Sequence, residues 1–325
     1  MRFGIVGTSG HAGRIAAPVL KRNADIVLLG ATGSSAERGA RFAQEHALPR
    51  AYRSLEEMLG DRDVDAVWIC SPNHLHAAQV AQCAAAGKHI LVEKPLATTH
   101  VDAEAAGRAA REAGIVLRVG CQHRFRPAHA QIREWIASGL VGRMGFFRIH
   151  RFWRYPYFEG MDPSGPPQWR RSGAESGGWV INDIGSHLLD LMLWMCGAAG
   201  TLAGALLASQ QFRVATEDSA ALLVSLGESA IGIVETSCAN DSPGSRIEVY
   251  GAAGWIRADD TLTGAAVVRA HDGRRLEFPR VEMLDTYAAE VADFVRAVRG
   301  EPGIGAHAAA GSALARIIEE AVRMG

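Results

Sequence analysis

Paired cysteines are missing from this chain of 325 residues. Its five cysteines, Cys70, Cys83, Cys121, Cys196 and Cys238, include no CxxC spacing. That excludes a paired-cysteine framework, and the thiols read as small buried apolar residues in a reducing compartment. Blocks of like charge are missing too: 34 basic and 35 acidic residues leave a formal charge of -1, with no run at either end. A nucleic-acid binder relying on a net positive field is excluded, leaving only a local patch that folding could create, and no nucleic-acid partner is expected. No apolar run reaches membrane length. The most apolar, LLDLMLWMCGAAG, carries Asp190 and falls short of a span. The opening MRFGIVGTSG has no long apolar segment or cleavage-like site and reads as a first strand rather than a signal peptide. A soluble, cytoplasmic protein without a membrane partner is the expectation. With 36 glycines and 48% hydrophobic residues the chain is not a disordered one, and it shows neither internal repeat nor low-complexity linker.

What is present is a rhythm. Over the first 120 residues short apolar runs (FGIVG, IVLLGA, VDAVWIC, HILVEK, IVLRVG) alternate with helix-like stretches. Strands buried on both faces read as continuous apolar runs, and intervening helices make parallel crossovers. After about residue 122 the pattern changes: an amphipathic helix AHAQIREWIASGLVG, an aromatic alternating strand from MGFFRIH, a Pro- and Gly-rich loop at 159 to 178, and a helix from about 184 to 195. From 201 to 278 it is mostly strand-like, with several Gly-containing turns, and helices at 286 to 299 and 304 to 323 close it. The expected fold is α/β. An N-terminal Rossmann domain with a doubly wound parallel sheet occupies residues 1–122. A C-terminal α+β domain with an open, mostly antiparallel sheet occupies 123–325, its last helix free to pack back on the first domain.

GTSGHAG spaces Gly7, Gly10 and Gly13 three apart, directly after a strand and opening a helix. Such a turn, here Gly7, Thr8, Ser9, Gly10, His11, Ala12 and Gly13, brings backbone N–H groups against a pyrophosphate at a helix N-terminus. The spacing is G-x-x-G-x-x-G rather than G-x-G-x-x-G, so position in the βαβ run carries the assignment. The second strand ends in LLGATGSSAERG, with no acid before Glu37. An acid there would accept from a ribose 2′-hydroxyl; instead Gly33, Ser34, Ser35 and Arg38 form a turn that can hold a 2′-phosphate, although a serine that merely caps the helix fits too. NADP(H) is therefore the preferred cofactor and NAD(H) stays open.

Strands four and five end in CSPNHLHA and VEKPLAT. Ligands of open α/β sheets bind beyond the carboxyl ends of the strands, which sets Ser71, Pro72, Asn73 and His76, then Glu93, Lys94 and Pro95, beside the cofactor. His76 serves equally as a helix-packing histidine. A lysine at such an edge can donate to a substrate oxygen and stabilise developing negative charge. Farther on, Asp183 and His187 in NDIGSHLLD stand four apart, so a helix places both on one face. By spacing alone they are either a structural pair or part of a site, and Leu188, Leu191, Met192 and Met195 supply that helix's buried stripe.

Together GTSGHAG, SPNHLHA, GKHILVEKP and GGWVINDIGSHLLDL resemble the Gfo/Idh/MocA oxidoreductases over nearly the whole chain. The resemblance implies an NAD(P)-dependent enzyme acting on sugars, cyclitols or related polyols, with Lys94, Asp183 and His187 as the reactive set. His187 then moves the proton, since imidazole titrates near working pH, Lys94 fixes the reacting oxygen, and Asp183 positions a hydroxyl or the histidine. Members differ over which of Lys94 and His187 transfers the proton. A zinc site from Asp183, His187 and His150 or His123 would set Lys94 beside a second cation, so no metal is expected. The resemblance also draws Gln122, Trp169 and Arg170 toward the cofactor. Arg124, His150, Trp153 and Tyr287 become substrate-wall candidates, although Arg124 could instead pair with an acid and Tyr287 could pack with Val291 and Phe294. Trp169 and Tyr155 and Tyr157 complete an aromatic-rich region. The serine-rich second turn is similar to that of the family's 1,5-anhydro-D-fructose reductases, which implies a keto-sugar substrate. Aldose or cyclitol dehydrogenation, and a non-catalytic NAD(P)-binding regulator, are the alternatives. A homodimer or homotetramer through the C-terminal sheet is expected.

Overall fold

Continuous apolar runs build the first sheet of the computed structural model, which describes residues 1–156, 161–240 and 244–325. The strands are β1 (Arg2–Val6), β2 (Val27–Thr32), β3 (Arg50–Tyr52), β4 (Ala66–Ile69), β5 (His89–Glu93) and β6 (Leu117–Gly120). They pair in parallel in the order β6-β5-β4-β1-β2-β3. Their crossovers are α1 (Ala17–Arg22), which continues a π-helical turn over Ala12–Ala16, then α2 (Ala36–Glu45), α3 (Leu55–Gly60), α4 (His76–Ala85) and α5 (His100–Glu112). Strand order reverses on either side of β1, which makes the carboxyl ends of β1 and β4 the switch point where such sheets bind nucleotides.

Two compact units result, one of residues 1–122 with 282–312 and the other of residues 123–281 with 313–325. The helix Met283–Val298 lies with the first unit, although chain order alone assigns it to the second. Its apolar stripe explains why. Val291 and Phe294 are fully buried in one core with Phe3, Ile5 and Leu20, and Phe294 meets Phe3 edge-on at 5.7 Å. Burying each such side chain contributes about 1.5–3 kcal/mol. Two residues, Ala306–His307, then add a seventh, antiparallel strand beside β6.

The second unit contains α6 (Pro127–Ala137), β7 (Met144–Phe152), α7 (Gly173–Ser176) and α8 (Ser186–Cys196). Seven further strands follow: β8 (Gly200–Ala208), β9 (Ser219–Leu226), β10 (Ala230–Ser237), β11 (Ser245–Gly251), β12 (Trp255–Asp259), β13 (Ala266–Ala270) and β14 (Arg275–Phe278). Its eight-stranded sheet runs β14-β13-β12-β11-β7-β10-β9-β8 and is antiparallel except where β7 and β10 pair in parallel. Alternation assigns its faces. Phe147 and Ile149 of β7 and Val234 of β10 are fully buried, whereas Phe146, Arg148 and Ile231 are exposed. Helix α8 covers the buried face: a Cβ on Gly232 would meet Met192 Sδ at 2.5 Å. Leu188, Leu191, Met192 and Met195 of α8 are all buried. No helix among the described residues is long and apolar enough to cross a membrane.

Candidate active site

In the first unit, glycine is required where two turns close on each other. Gly7 has φ +96°, and a Cβ there would lie 2.8 Å from Ser71 N. A Cβ on Gly33 would sit 3.0 Å from both Gly39 N and Thr8 Oγ1. The first turn is further tied down by Ser9 Oγ donating to Cys70 O at 3.1 Å. Glycine at these two positions is thus what lets the turns approach each other. At the second turn Ser35 is the cap of α2 and accepts from Arg38 N at 3.4 Å, while Ser34 and the Arg38 side chain are exposed. Glu37 is also hydrogen-bonded to Ser35, which holds its carboxyl below the ordinary value.

Beyond β4 and β5 the predicted residues divide into holders and exposed groups. His76 is fully buried, with Nδ1 2.7 Å from Pro95 O and Nε2 2.9 Å from Ser71 O. Burial lowers its pKa against the pull of those carbonyls. It therefore fastens the β4 loop to the end of β5, the helix-packing role that the sequence also allows. Glu93, expected at the cofactor ribose or beside Lys94, is buried and accepts from Trp68 Nε1 at 3.1 Å, with His11 Nε2 at 3.0 Å. Burial opposes its ionised form, but His11, Lys94 and Trp68 outweigh burial and hold the carboxyl below its ordinary value. Tyr287 closes this cluster, its ring 5.4 Å from His11 and 6.2 Å from Trp68. It is buried among core residues, so packing is the reading that the geometry supplies. Lys94 is half-exposed at the carboxyl end of β5, Asn73 is buried, Ser71 Oγ donates to Gln79 Oε1 at 2.6 Å, and Gln122 is buried with its side-chain oxygen unpartnered among the described residues.

In the second unit a helical turn over Ile181–Gly185 runs into α8 and carries Asp183 and His187, both half-exposed. Arg170 Nη1 meets Asp183 Oδ2 at 2.5 Å, and its guanidinium carbon lies 5.0 Å from the Trp169 ring centroid. Arg170, expected near the cofactor, is thereby the partner of a proposed reactive carboxylate. The His187 ring stands edge-on to His123 at 4.7 Å. Arg126 Nε donates to His123 Nδ1 at 3.2 Å, so a neutral His123 carries its proton on Nε2. Desolvation, with His187, Arg126, His129 and Arg151 nearby, pushes His123 well below its ordinary pKa. His129 behind it, fully buried with Nδ1 on His123 O at 2.6 Å, falls to about 3, mainly through desolvation.

Two substrate-wall expectations are corrected by this geometry. His150 shares the open face of β7 with Arg148 and stacks on Phe152 at 5.4 Å, opposite the face covered by the Asp183–His187 helix. Strand alternation forces this, because Ile149 and Arg151 take the inward positions. Arg124 is buried, with Nε 2.8 Å from Asp190 Oδ2 and Nη2 2.5 Å from Oδ1, so the ion-pair reading replaces the substrate clamp. Trp153 lies under the Arg151 guanidinium, 3.9 Å from its ring centroid. Tyr155 is buried against Trp179 and Phe212, away from an aromatic wall, and Tyr157 lies outside the described residues. Sequence reasoning missed Asp190 as the anchor of α8 and Glu217 at its approach. The consecutive acids of TEDSAALLV, at the mouth of an otherwise apolar strand, were the available signal.

The comparisons fit this architecture. Residues 1–121 match a family described as an oxidoreductase family with an NAD-binding Rossmann fold, and residues 129–257 match the GFO/IDH/MocA C-terminal domain. The 1,5-anhydro-D-fructose reductase of Ensifer adhaerens is 38% identical over 193 residues, 59% of this chain and 55% of that protein, so the match spans about half of the relative. The myo-inositol 2-dehydrogenase of Thermotoga maritima is 27% identical over 93% of this chain and 90% of its own. Among solved structures, GenD2 from gentamicin A biosynthesis in complex with NAD is 26% identical, with TM-score 0.83 over 100% of this chain and 93% of its own. The chain belongs to the Gfo/Idh/MocA oxidoreductase family.

Proposed function

We propose that this chain is an NADP(H)-preferring oxidoreductase that interconverts a carbonyl and a hydroxyl carbon of a sugar or polyol, with a keto-sugar such as 1,5-anhydro-D-fructose as substrate. The observation that carries the reading is the helix start where Asp183, held by Arg170 at 2.5 Å, precedes His187 by one turn. A nicotinamide cofactor, its pyrophosphate held at the first glycine turn, would supply or take up the hydride. Everything else falls to the chain. Lys94 donates to the reacting oxygen and stabilises charge that develops there. His187 gives or takes the proton of that oxygen. Asp183, its carboxylate oriented by Arg170, accepts from a neighbouring substrate hydroxyl. The exposed Ser34 hydroxyl and Arg38 guanidinium favour a 2′-phosphate. Glu37 competes with that phosphate for Ser35, which keeps NAD(H) as a second cofactor.

The test measures NADPH and NADH oxidation with a panel of keto-sugars, beside NADP+ and NAD+ reduction with aldoses and inositols, for the wild type and Lys94→Ala. NADPH-dependent reduction of 1,5-anhydrofructose that disappears in Lys94→Ala is the expected result. Activity on an aldose or an inositol instead removes the keto-sugar assignment and keeps the roles of the residues, in line with the inositol dehydrogenase relative. Cofactor binding without turnover in any lane points to the regulator.

We further propose that the open face of the second sheet joins copies of this chain as a dimer or tetramer. Phe146, Ile231, Tyr250 and Trp255 are exposed at adjacent register positions of that face, flanked by the Arg148–Glu235 ion pair. An uncovered apolar row of this kind is unusual for a monomer. Sedimentation velocity should show an oligomer that Ile231→Glu dissociates; a wild type that stays monomeric at tens of micromolar refutes it.

A further inference from the structure

The loop entering β9 is tied to Arg170 and to the helix start that carries Asp183. Thr216 Oγ1 donates to Arg170 O at 2.8 Å, on the residue that holds Asp183. Glu217 Oε1, buried, accepts from Ile181 N at 2.8 Å, and Glu217 O accepts from Val180 N at 3.3 Å. Both carboxylate oxygens lie 3.3 Å from the point a Cβ on Gly178 would occupy, a residue with φ +106°, so the chain before the helix folds flat against them. Asp218 beside it is spent differently, accepting from the backbone N–H groups of Gln210, Gln211 and Phe212.

We propose that Glu217 is a positioning residue for Asp183 and His187: its ionised carboxylate, accepting from the Ile181 N–H at the helix start, sets the register and entry angle of the helix that carries them. The inference rests on the function proposed above. An ionised carboxylate accepts more strongly than a protonated or amide side chain, so loss of the charge loosens the bond from Ile181 N–H. Burial raises the Glu217 pKa above its ordinary value, with Asp218 adding in the same direction, against the backbone N–H groups that favour the ion. On the helix side it faces the Ile181 N–H group, and Arg170 of the Arg170–Asp183 pair is reached through Thr216. Because the raised pKa means the fold binds the proton more tightly than the unfolded chain, the charge contributes no net stability. Stability tied to this group is present below the unfolded value and lost as pH rises through the folded one. Charge removal and geometry are thereby separable.

Glu217→Gln is expected to keep its melting midpoint at pH 7 and the wild-type KM for cofactor, but to lose roughly tenfold to a hundredfold in kcat, the cost of a misplacement of about 1 Å. The wild type should show an acid limb in kcat, above the ordinary carboxylate range, that Glu217→Gln lacks. Amide hydrogen exchange over residues 179–187 should be faster in Glu217→Gln and faster still in Glu217→Ala, a readout independent of turnover. Wild-type kcat, pH profile and exchange in Glu217→Gln overturn the inference while His187→Ala remains inactive. Undiminished turnover in His187→Ala overturns the proton-transfer role proposed for His187 instead, and unchanged exchange in both Glu217 variants overturns the positioning role whatever the activity shows. If Glu217→Ala does not fold, Glu217→Gln decides alone.

Discussion

Replacing His187 by alanine is expected to lower kcat by about 10²–10⁴, the contribution of a positioned general acid or base, while cofactor affinity holds. The separation follows from where the residue sits. His187 belongs to the second unit, at the start of α8 and four residues beyond Asp183, and the glycine turns belong to the first. Its immediate neighbour His123 does not replace it: Nδ1 is occupied by the Arg126 guanidinium at 3.2 Å, and desolvation holds the ring neutral far into acid. A neutral ring with its one acceptor nitrogen taken cannot accept a proton, so His123 does not rescue the variant. Steady-state kinetics with cofactor titration by fluorescence checks both halves. A kcat within threefold of wild type would move the proton transfer to Lys94, whose own alanine variant then becomes the inactive one.

Much of the first unit was legible because burial on both faces leaves an unmistakable mark, the continuous apolar run ending in glycine or proline. Its shortest parts left none. The strand Arg50–Tyr52 has three residues and Ala306–His307 two, too few for any periodicity, and both are called up by a neighbouring sheet edge. The helix Met283–Val298 shows the same limit differently: an amphipathic stripe announces that a face is buried, not which core receives it. At the site, the residue types were readable and their partners were not. His150 sits on a strand whose alternation is plain, yet parity alone does not say which face a distant helix covers. Arg124 finds Asp190 across 66 residues, a pairing that no local pattern encodes. Arg170 and Asp183, thirteen apart through an irregular Pro- and Gly-rich loop, are equally silent.

The pair of Arg124 and Asp190 carries the largest stability expectation. Both side chains are buried, at 6% and 2% exposure, and two hydrogen bonds join them. Asp190→Ala leaves the guanidinium without its carboxylate in a site water barely reaches, which costs about 3–5 kcal/mol. In a unit of this size that lowers the melting midpoint by roughly 10 °C or more. The double variant Arg124→Met, Asp190→Leu should recover most of the loss, since apolar replacement of an entire buried pair is often neutral. Recovery of stability need not restore turnover. Asp190 lies three residues beyond His187 on α8, and Arg124 follows His123, so the ion pair fixes α8 to the segment bearing the ring that His187 meets. Apolar packing restores the energy without the two-point geometry of a fork on a carboxylate. Thermal melts and kcat, measured on the single and double variants together, separate the two roles: if kcat recovers in step with the melting midpoint, the pair stabilises the helix but does not orient it.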